Sequence, residues 1–393
     1  MMGMVVLVTV ISITGIVLIL AAWILTFEWT LPRIPRSNGD TSNLPSVSII
    51  VPARDEEKNI RRCLTSLAEQ EYDKLEIIAV DDRSSDQTKN IIVEMATNSS
   101  HIKLVEVSEL PEGWIGKCNA LHVGARNATG DWLLFTDADT RHERHGLADS
   151  ISYALSHKID LLTYWPLLEV QSFWEKVTSP VLWTSFFWGD PIHFANDLLC
   201  DIAYANGQYI LIDRRVYLGV GGHEAVRGEI LEDAALAQLA KDRGCDIRMC
   251  DGTTIFRVRM YTGLKEFWAG WAKNLYLIER RQIAHIALVL FRLIVFYWLP
   301  VLELVALAVM WSIGQVVPEF NRALLLVLLQ YCAVLIAYER TRRRFDGLPW
   351  GYALLLPVGA GIIGALYLYS TYRIVSGGTF TWKGRSYVAT GRK

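Results

Sequence analysis

The stretch Trp132-Leu-Leu-Phe-Thr-Asp-Ala-Asp-Thr140 constrains the chain most. Its apolar start reads as a buried strand. The strand ends in Asp137 and Asp139, one residue apart. A period of two puts alternate residues on the same side of an extended chain. Two acids at one strand end can therefore converge on a hard cation that takes oxygen ligands, such as Mg2+ or Mn2+, and such an ion can neutralise a diphosphate leaving group. Asp-x-Asp also caps turns, so the stretch taken alone leaves both readings open.

The length of 393 residues allows a large domain with additions. The net charge of −2, with no polybasic arm, low-complexity tract or internal repeat, argues against a nucleic-acid partner. The six cysteines, Cys63, Cys118, Cys200, Cys245, Cys250 and Cys332, form no Cys-x-x-Cys pair. They read as reduced and partly buried, with no zinc site or disulfide frame. The mean hydropathy of +0.24 is high for a soluble protein, and its cause is local. Residues Met1 to Phe27 carry no charge, and Met4 to Trp23 alone can span a bilayer at ~1.5 Å per residue. A cleaved signal peptide needs a basic leading region and a shorter apolar core. Neither is present, so residues 1–30 are expected to be an uncleaved transmembrane anchor. Arg33 and Arg36 follow at once, and the positive-inside rule then places the following region in the cytosol.

Residues 283–372 are apolar again and are expected to form C-terminal transmembrane helices, followed by a basic tail over 373–393. Ile283 to Ile313 is one long run interrupted by Arg292, Pro300 and Glu303; Ala323 to Tyr338 is a second; Leu348 to Tyr369 is a third. Between the last two lies Glu339-Arg-Thr-Arg-Arg-Arg344, a basic cluster that should face the cytosol. Three crossings would put Arg373, Lys383, Arg385, Arg392 and Lys393 outside, against that rule. An interfacial or broken first run, with Pro300 as the break, would remove the conflict. Arg292 can snorkel or pair with Glu303.

Residues 40–280 have soluble character. Arg36 to Asn43 is a polar linker. Strands at Val47–Val51, Leu75–Val80 and Lys103–Val107 alternate with helices at Glu57–Gln70, Ser85–Met95 and Lys117–Ala128 before the acid-bearing strand. This alternation predicts an α/β fold, a mostly parallel sheet flanked by helices, with ligands beyond the carboxyl ends of the strands. Those ends carry Val51-Pro-Ala-Arg-Asp-Glu-Glu57, Asp81-Asp-Arg-Ser-Ser-Asp86 and the acid pair, with Gly113-Trp-Ile-Gly-Lys117 opening a helix. Any one cluster reads as solvated turns or caps, Asp86 as an N-cap. Repetition at the same end of successive strands points instead to a site.

Together these motifs resemble glycosyltransferase family 2, a family of GT-A (Rossmann-like) fold that uses nucleotide-activated sugars. The resemblance covers about residues 45 to 275. The membrane layout and the phrases Gly113-Trp-Ile-Gly-Lys117, Arg259-Met-Tyr261 and Trp382-Lys-Gly-Arg385 resemble its lipid-directed members, the hopene-associated and carotenoid (diaponeurosporenoate) glycosyltransferases. Carried over, the resemblance implies a nucleotide edge at Pro52, Ala53 and Asp55, with Asp82 on the uracil ring. It implies Lys117 at the nucleotide or its phosphates and Asp137 and Asp139 on the metal. Glu232-Asp233 resembles the family's Glu-Asp pair, whose Asp is the general base. A helix N-terminus also explains two acids there. Asn206, Gly207, Gln208 and His223 match the acceptor-side strand and turn, although a histidine like His223 is often a turn residue bonded to backbone. Arg259, Trp271 and Lys273 are candidates to close the site over diphosphate or acceptor. Trp165, Trp174, Trp183, Phe186, Phe187 and Trp188 read equally as a core helix or as a helix at the bilayer interface.

The Gln-x-x-Arg-Trp motif of processive members is missing from Arg259 to Lys273. The expectation is therefore a multi-pass cell-membrane enzyme with a cytosolic catalytic domain. It would transfer one sugar from a nucleotide-sugar, a UDP-sugar, to a lipid with inversion and a divalent metal. The alternatives are a processive polysaccharide synthase and a non-enzymatic membrane scaffold or transport protein.

Overall fold

The computed structural model describes residues 2–188, 196–197, 199–314, 319–382 and 385–388; Lys383, Arg392 and Lys393 lie outside them. The chain divides into two compact units, Thr30–Glu169 with Pro191–Met260, and Met1–Trp29 with Val170–Asp190 and Tyr261–Lys393.

The first unit is built on a sheet whose strands are β1 (Val47–Ala53), β2 (Leu75–Asp81), β3 (Ile102–Glu106), β4 (Trp132–Phe135), β5 (Thr140–His142), β6 (Leu161–Glu169), β7 (Ile210–Asp213) and β8 (Ile247–Val258). They run in the order β3-β2-β1-β4-β7-β6-β8-β5. The expected parallel arrangement holds for β1 with β2 and β4, and for β2 with β3. The sheet as a whole is mixed, because β7 enters antiparallel between β4 and β6. The strands read as near-continuous apolar runs because helices cover both faces. Val47, Ile49, Val51, Ile77 and Leu134 pack with Ile60, Leu64 and Ile92 on one face. Ile50, Ile78, Val80, Leu133 and Phe135 pack with Ala120, Leu121 and Leu236 on the other. Odd and even positions of β1 thus serve different helices, as a two-residue period requires.

The second unit is helical. Four stretches, Leu7–Leu25, Ile283–Ser312, Phe320–Arg342 and Trp350–Val375, are long and apolar enough to cross a membrane. Pro300 does not break the run that holds it. A π-helical segment, Ile294–Trp298, joins Ile283–Leu293 to Leu299–Ser312, and the Leu299 N–H reaches back to the Ile294 carbonyl. Proline lacks an N–H and crowds the preceding turn, and a wider local turn accommodates it. Arg292 does not pair with Glu303: its Nη1 donates to the Trp188 carbonyl at 2.7 Å, while Glu303 Oε2 accepts from Gln330 Nε2 at 2.7 Å. The aromatic helix Phe173–Phe187 opens on a capping box, Ser172 with Glu175, and buries its side chains from Val177 to Phe187 within this unit. Trp165 lies apart from it in β6. All six cysteines are free thiols.

One contact shows how tightly the first sheet is closed. Gly130 precedes β4, and a Cβ there would lie 2.6 Å from the Ser48 nitrogen of β1. The Gly130 N–H also donates to Ser48 Oγ at 2.8 Å. Backbone cannot yield as a flexible side chain can, so Gly130→Ala is expected to destabilise the protein by about 1–3 kcal/mol. Thermal unfolding of the purified chain in detergent checks this, and an unchanged midpoint would refute it.

Candidate active site

The edge of the sheet at the carboxyl ends of β1, β2 and β4 gathers the polar residues. The β1 and β2 loops lock together by reciprocal bonds. Asp82 is buried, and its N–H donates to the Ala53 carbonyl at 2.8 Å. Arg54 Nη1 donates to the Asp82 carbonyl at 2.7 Å. Asp55 takes a left-handed conformation, φ 51°, and its Oδ1 accepts from the Ser85 N–H at 2.7 Å and the Ser85 hydroxyl at 3.0 Å. Asp55 thus fastens the two loops to each other, and Pro52 and Ala53 form the strand end beneath it. Asp86 is not the N-cap expected from the sequence: Gln87 holds that position, and Asp86, one residue earlier, accepts from the Thr88 N–H at 2.9 Å.

Beside them lies a charged cluster. Lys117 opens the helix Gly116–Arg126, where a cation is unfavourable against the helix dipole. Acids offset this: Lys117 Nζ lies 2.8 Å from Asp137 Oδ1 and 2.9 Å from Glu232 Oε1. Burial works against the Lys117 charge, but Asp137, Glu232 and Asp233 outweigh it and hold the ammonium well above its ordinary range. Glu232 and Asp233 form the first turn of the helix Glu232–Asp242, so the helix-terminus reading and the site reading hold together. Asp233 Oδ2 accepts from the Gly207 N–H at 2.8 Å, and Oδ1 from the Ala234 N–H at 2.8 Å. Burial first, then the Glu232 charge, raise the Asp233 carboxyl to about 6, against the opposing pull of Lys117 and its two amides.

At Gly207 an added side chain would press on its neighbours. A Cβ there would stand 3.1 Å from both Asp233 Oδ2 and Lys117 Nζ. Its neighbours frame it. Asn206 Nδ2 donates to the Tyr164 carbonyl at 3.2 Å, and Asn206 Oδ1 accepts from the Gln208 N–H at 3.2 Å. Gln208 is buried, its carbonyl accepting from Thr136 Oγ1 at 2.8 Å.

The remaining candidates are His223, Arg259, Trp271 and Lys273. His223 is buried against Phe135, ring centroids 4.7 Å apart, with Nδ1 3.0 Å from the Tyr217 hydroxyl. Burial pushes it down to about 3, so it sits as a neutral packing residue. Arg259 follows β8, half-buried. Trp271 and Lys273 belong to the helical unit, where the Trp271 ring stands 5.5 Å from Phe186 and 6.0 Å from Trp183.

Sequence reasoning missed the support under the acid pair. Thr140 Oγ1 donates to the Asp137 carbonyl at 2.7 Å and lies 3.0 Å from His142 Nε2, which is 3.1 Å from Thr136 Oγ1. Burial holds His142 down to about 3. The alternation Thr136, Thr140, His142 was the available signal: even positions turn inward while Asp137 and Asp139 stay half-buried. Among the described residues no three His, Cys, Asp or Glu side chains converge as a metal cage.

Residues 48–189 match the family model described as glycosyl transferase family 2. The 4,4'-diaponeurosporenoate glycosyltransferase of Staphylococcus haemolyticus (strain JCSC1435) is 29% identical over 272 residues, covering 67% of this chain and 69% of that protein. The protein of the same name from Staphylococcus aureus (strain USA300) is 27% identical over 237 residues, 59% of this chain and 61% of that protein. Among solved structures, a mannosyltransferase from Pyrobaculum calidifontis in complex with GDP-Man and Mn2+ superposes with a TM-score of 0.51 at 17% identity, covering 94% of this chain and 97% of that one. Family model, relatives and sheet agree: residues 48–189 are similar to family 2 glycosyltransferases, on a sheet of GT-A-like fold.

Proposed function

We propose that the enzyme transfers a single sugar from a nucleotide-sugar, a UDP-sugar, to a lipid hydroxyl at the membrane, with inversion at the sugar carbon. The observation that carries this reading is Asp233. Its carboxylate is fixed by two backbone N–H groups and raised to about 6, beside an ammonium that already bridges two acids. A base needs a fixed orientation and a pKa near the working pH. Asp233 accepts the acceptor hydroxyl proton as that oxygen attacks the sugar carbon from the side opposite the diphosphate. Lys117 faces the leaving diphosphate as a cation, and Asp82 accepts the imide N–H of the base. The names of the relatives support an apolar, carotenoid-like acceptor. Arg33, Arg36 and the Arg342 to Arg344 cluster support a cytosolic catalytic face.

The acid pair fits a divalent ion, Mg2+ or Mn2+. Two half-buried carboxylates at a strand end, one of them already 2.8 Å from an ammonium, suit a cation that takes its remaining ligands from phosphates and water. Asp137 and Asp139 would hold it, and it would neutralise charge building on the diphosphate. Comparing lipids from cells with and without the protein tests the reading as a whole. A β-linked glycolipid from an α-linked donor is expected; retained configuration, or a long polymer, would overturn it.

Three narrower outcomes follow from the geometry. Asp233→Asn keeps size and removes the proton acceptor, so turnover should fall by roughly two to four orders of magnitude with donor binding kept. In the parent enzyme kcat/KM should fall as the pH drops through about 6, because protonation of Asp233 removes the base. A carboxylic acceptor is already ionised at neutral pH and needs no base. Near-normal turnover of the Asn variant would therefore sink the hydroxyl assignment.

Asp139→Asn should leave the unfolding midpoint in place and abolish turnover. Calorimetry should show Mn2+ binding to the parent only with nucleotide present. Full activity in excess chelator would exclude the metal.

Gly207→Ala should lower kcat roughly tenfold to a hundredfold by displacing Asp233 and Lys117, with stability unchanged. Parent-like kinetics would mean that the close approach at Gly207 is not needed.

A further inference from the structure

Four stretches of the helical unit are long and apolar enough to cross a membrane, yet four crossings conflict with the charges. The segment after Val375, with Arg385, Arg392 and Lys393, would emerge on the face opposite Arg340, Arg342 and Arg343, whereas basic residues favour one face. The contacts within the unit resolve this conflict.

Three helices run side by side. Ile283–Ser312 and Phe320–Arg342 are antiparallel: Glu303 meets Gln330 at 2.7 Å, and Leu307 packs with Ala323 and Val327. Met2–Thr30 joins them, Val10 in the same cluster and Thr14 Oγ1 accepting from Gln330 Nε2 at 3.0 Å. The start of Ile283–Ser312 and the end of Phe320–Arg342 therefore share one face.

Both ends of the fourth helix are tied to that face. At its start, the Tyr338 hydroxyl donates to the Pro349 carbonyl at 3.0 Å, and the Arg342 guanidinium lies 5.9 Å from the Trp350 ring. At its end, Ser370 Oγ accepts from the Tyr276 N–H at 3.1 Å, and the Tyr369 ring lies tilted with its centroid 5.6 Å from that of Trp268. Tyr276 lies in the short helix Leu275–Ile278 just before the start of Ile283–Ser312, and Trp268 in the helix before that, Leu264–Ala272. In between, Gly364 faces Leu290 in the near half of Ile283–Ser312, and Gly361 faces Trp298 at its middle. A crossing helix holds its ends ~30 Å apart along the bilayer normal. The 26 residues of Trp350–Val375 are ~39 Å long, and ends bonded to one face leave that length lying along it. The exposed side is a single stripe without charge, Trp350, Leu354, Val358, Leu368, Tyr372 and Val375.

We propose that Trp350–Val375 does not cross. It lies within one leaflet, on the face carrying Arg340, Arg342 and Arg343, with its apolar stripe against lipid and its buried side on Phe173–Phe187. Three helices cross, and the basic tail stays on the face of the arginine cluster. This layout holds whichever sugar is transferred.

The test reads relative sidedness in the full chain. Asp346→Cys and Ser376→Cys flank the helix, and Ser312→Cys marks the far end of a crossing helix; all three positions are exposed. Each is compared with the parent, which keeps its own cysteines, using a membrane-impermeant thiol reagent on intact and on lysed cells. Asp346→Cys and Ser376→Cys are expected to label in the same preparation and Ser312→Cys in the other. A reporter active on only one face, fused after Lys393, reads the tail without relying on thiol access. It is expected on the face of Asp346. Labelling of Ser376→Cys together with Ser312→Cys, or a reporter on the face opposite Asp346, would show that the helix crosses.

Discussion

The polar edge of the sheet depends on one ammonium group. Lys117 joins three elements far apart in sequence: its own helix, the end of β4 at Asp137 and the helix that starts at Glu232. A partly buried charge persists only where partners compensate its lost hydration. Here the compensation is unequal, since Asp137, Glu232 and Asp233 face a single cation. Burial first, and then the neighbouring Glu232 charge, raise the Asp233 carboxyl, while the three acids hold the Lys117 ammonium firmly charged. Under the proposed reaction a diphosphate adds further negative charge to this edge. A divalent cation arriving with the donor would balance it, the electrostatic reason to expect metal and nucleotide to bind together.

Much of this edge was legible in the sequence because strand ends advertise themselves. Apolar runs of β length, each followed by acids or a glycine-rich turn, placed Asp82, Asp137 and Lys117 on one side of a sheet before any coordinates. The mixed character of the sheet was not legible. β7 is a short apolar run, Ile210–Asp213, and nothing in four such residues encodes direction. Its insertion beside β4 is nevertheless what brings Gly207 to Asp233. That meeting joins positions 26 apart in sequence through a backbone N–H, and an amide carries no residue-type signature. His223 left two readings open in the sequence, a turn residue and an acceptor-side group. Its residue type suggests chemistry, while its burial against Phe135 and Tyr217 shows packing.

In the helical unit, hydropathy located the apolar runs but could not say which polar groups inside them would meet. Arg292 and Glu303 invited pairing by proximity in sequence and by charge. Helix geometry sends them to different neighbours, a backbone carbonyl and a glutamine on another helix. Pro300 invited a break for an equally local reason. The π-helical turn before it absorbs the missing hydrogen bond, and the helix continues.

Glu232 and Asp233 are adjacent carboxylates, and their surroundings separate their roles. Glu232 is buried and its Oε1 lies against the Lys117 ammonium, so proton transfer to it would break an ion pair. Asp233 is held by two neutral amides, which fix its direction and bring no full charge of their own. Of two such acids, the one steadied by dipoles can take a proton at lower electrostatic cost than the one steadied by a cation. Under the proposed reaction Glu232 would anchor the lysine, and the basic lone pair would belong to Asp233.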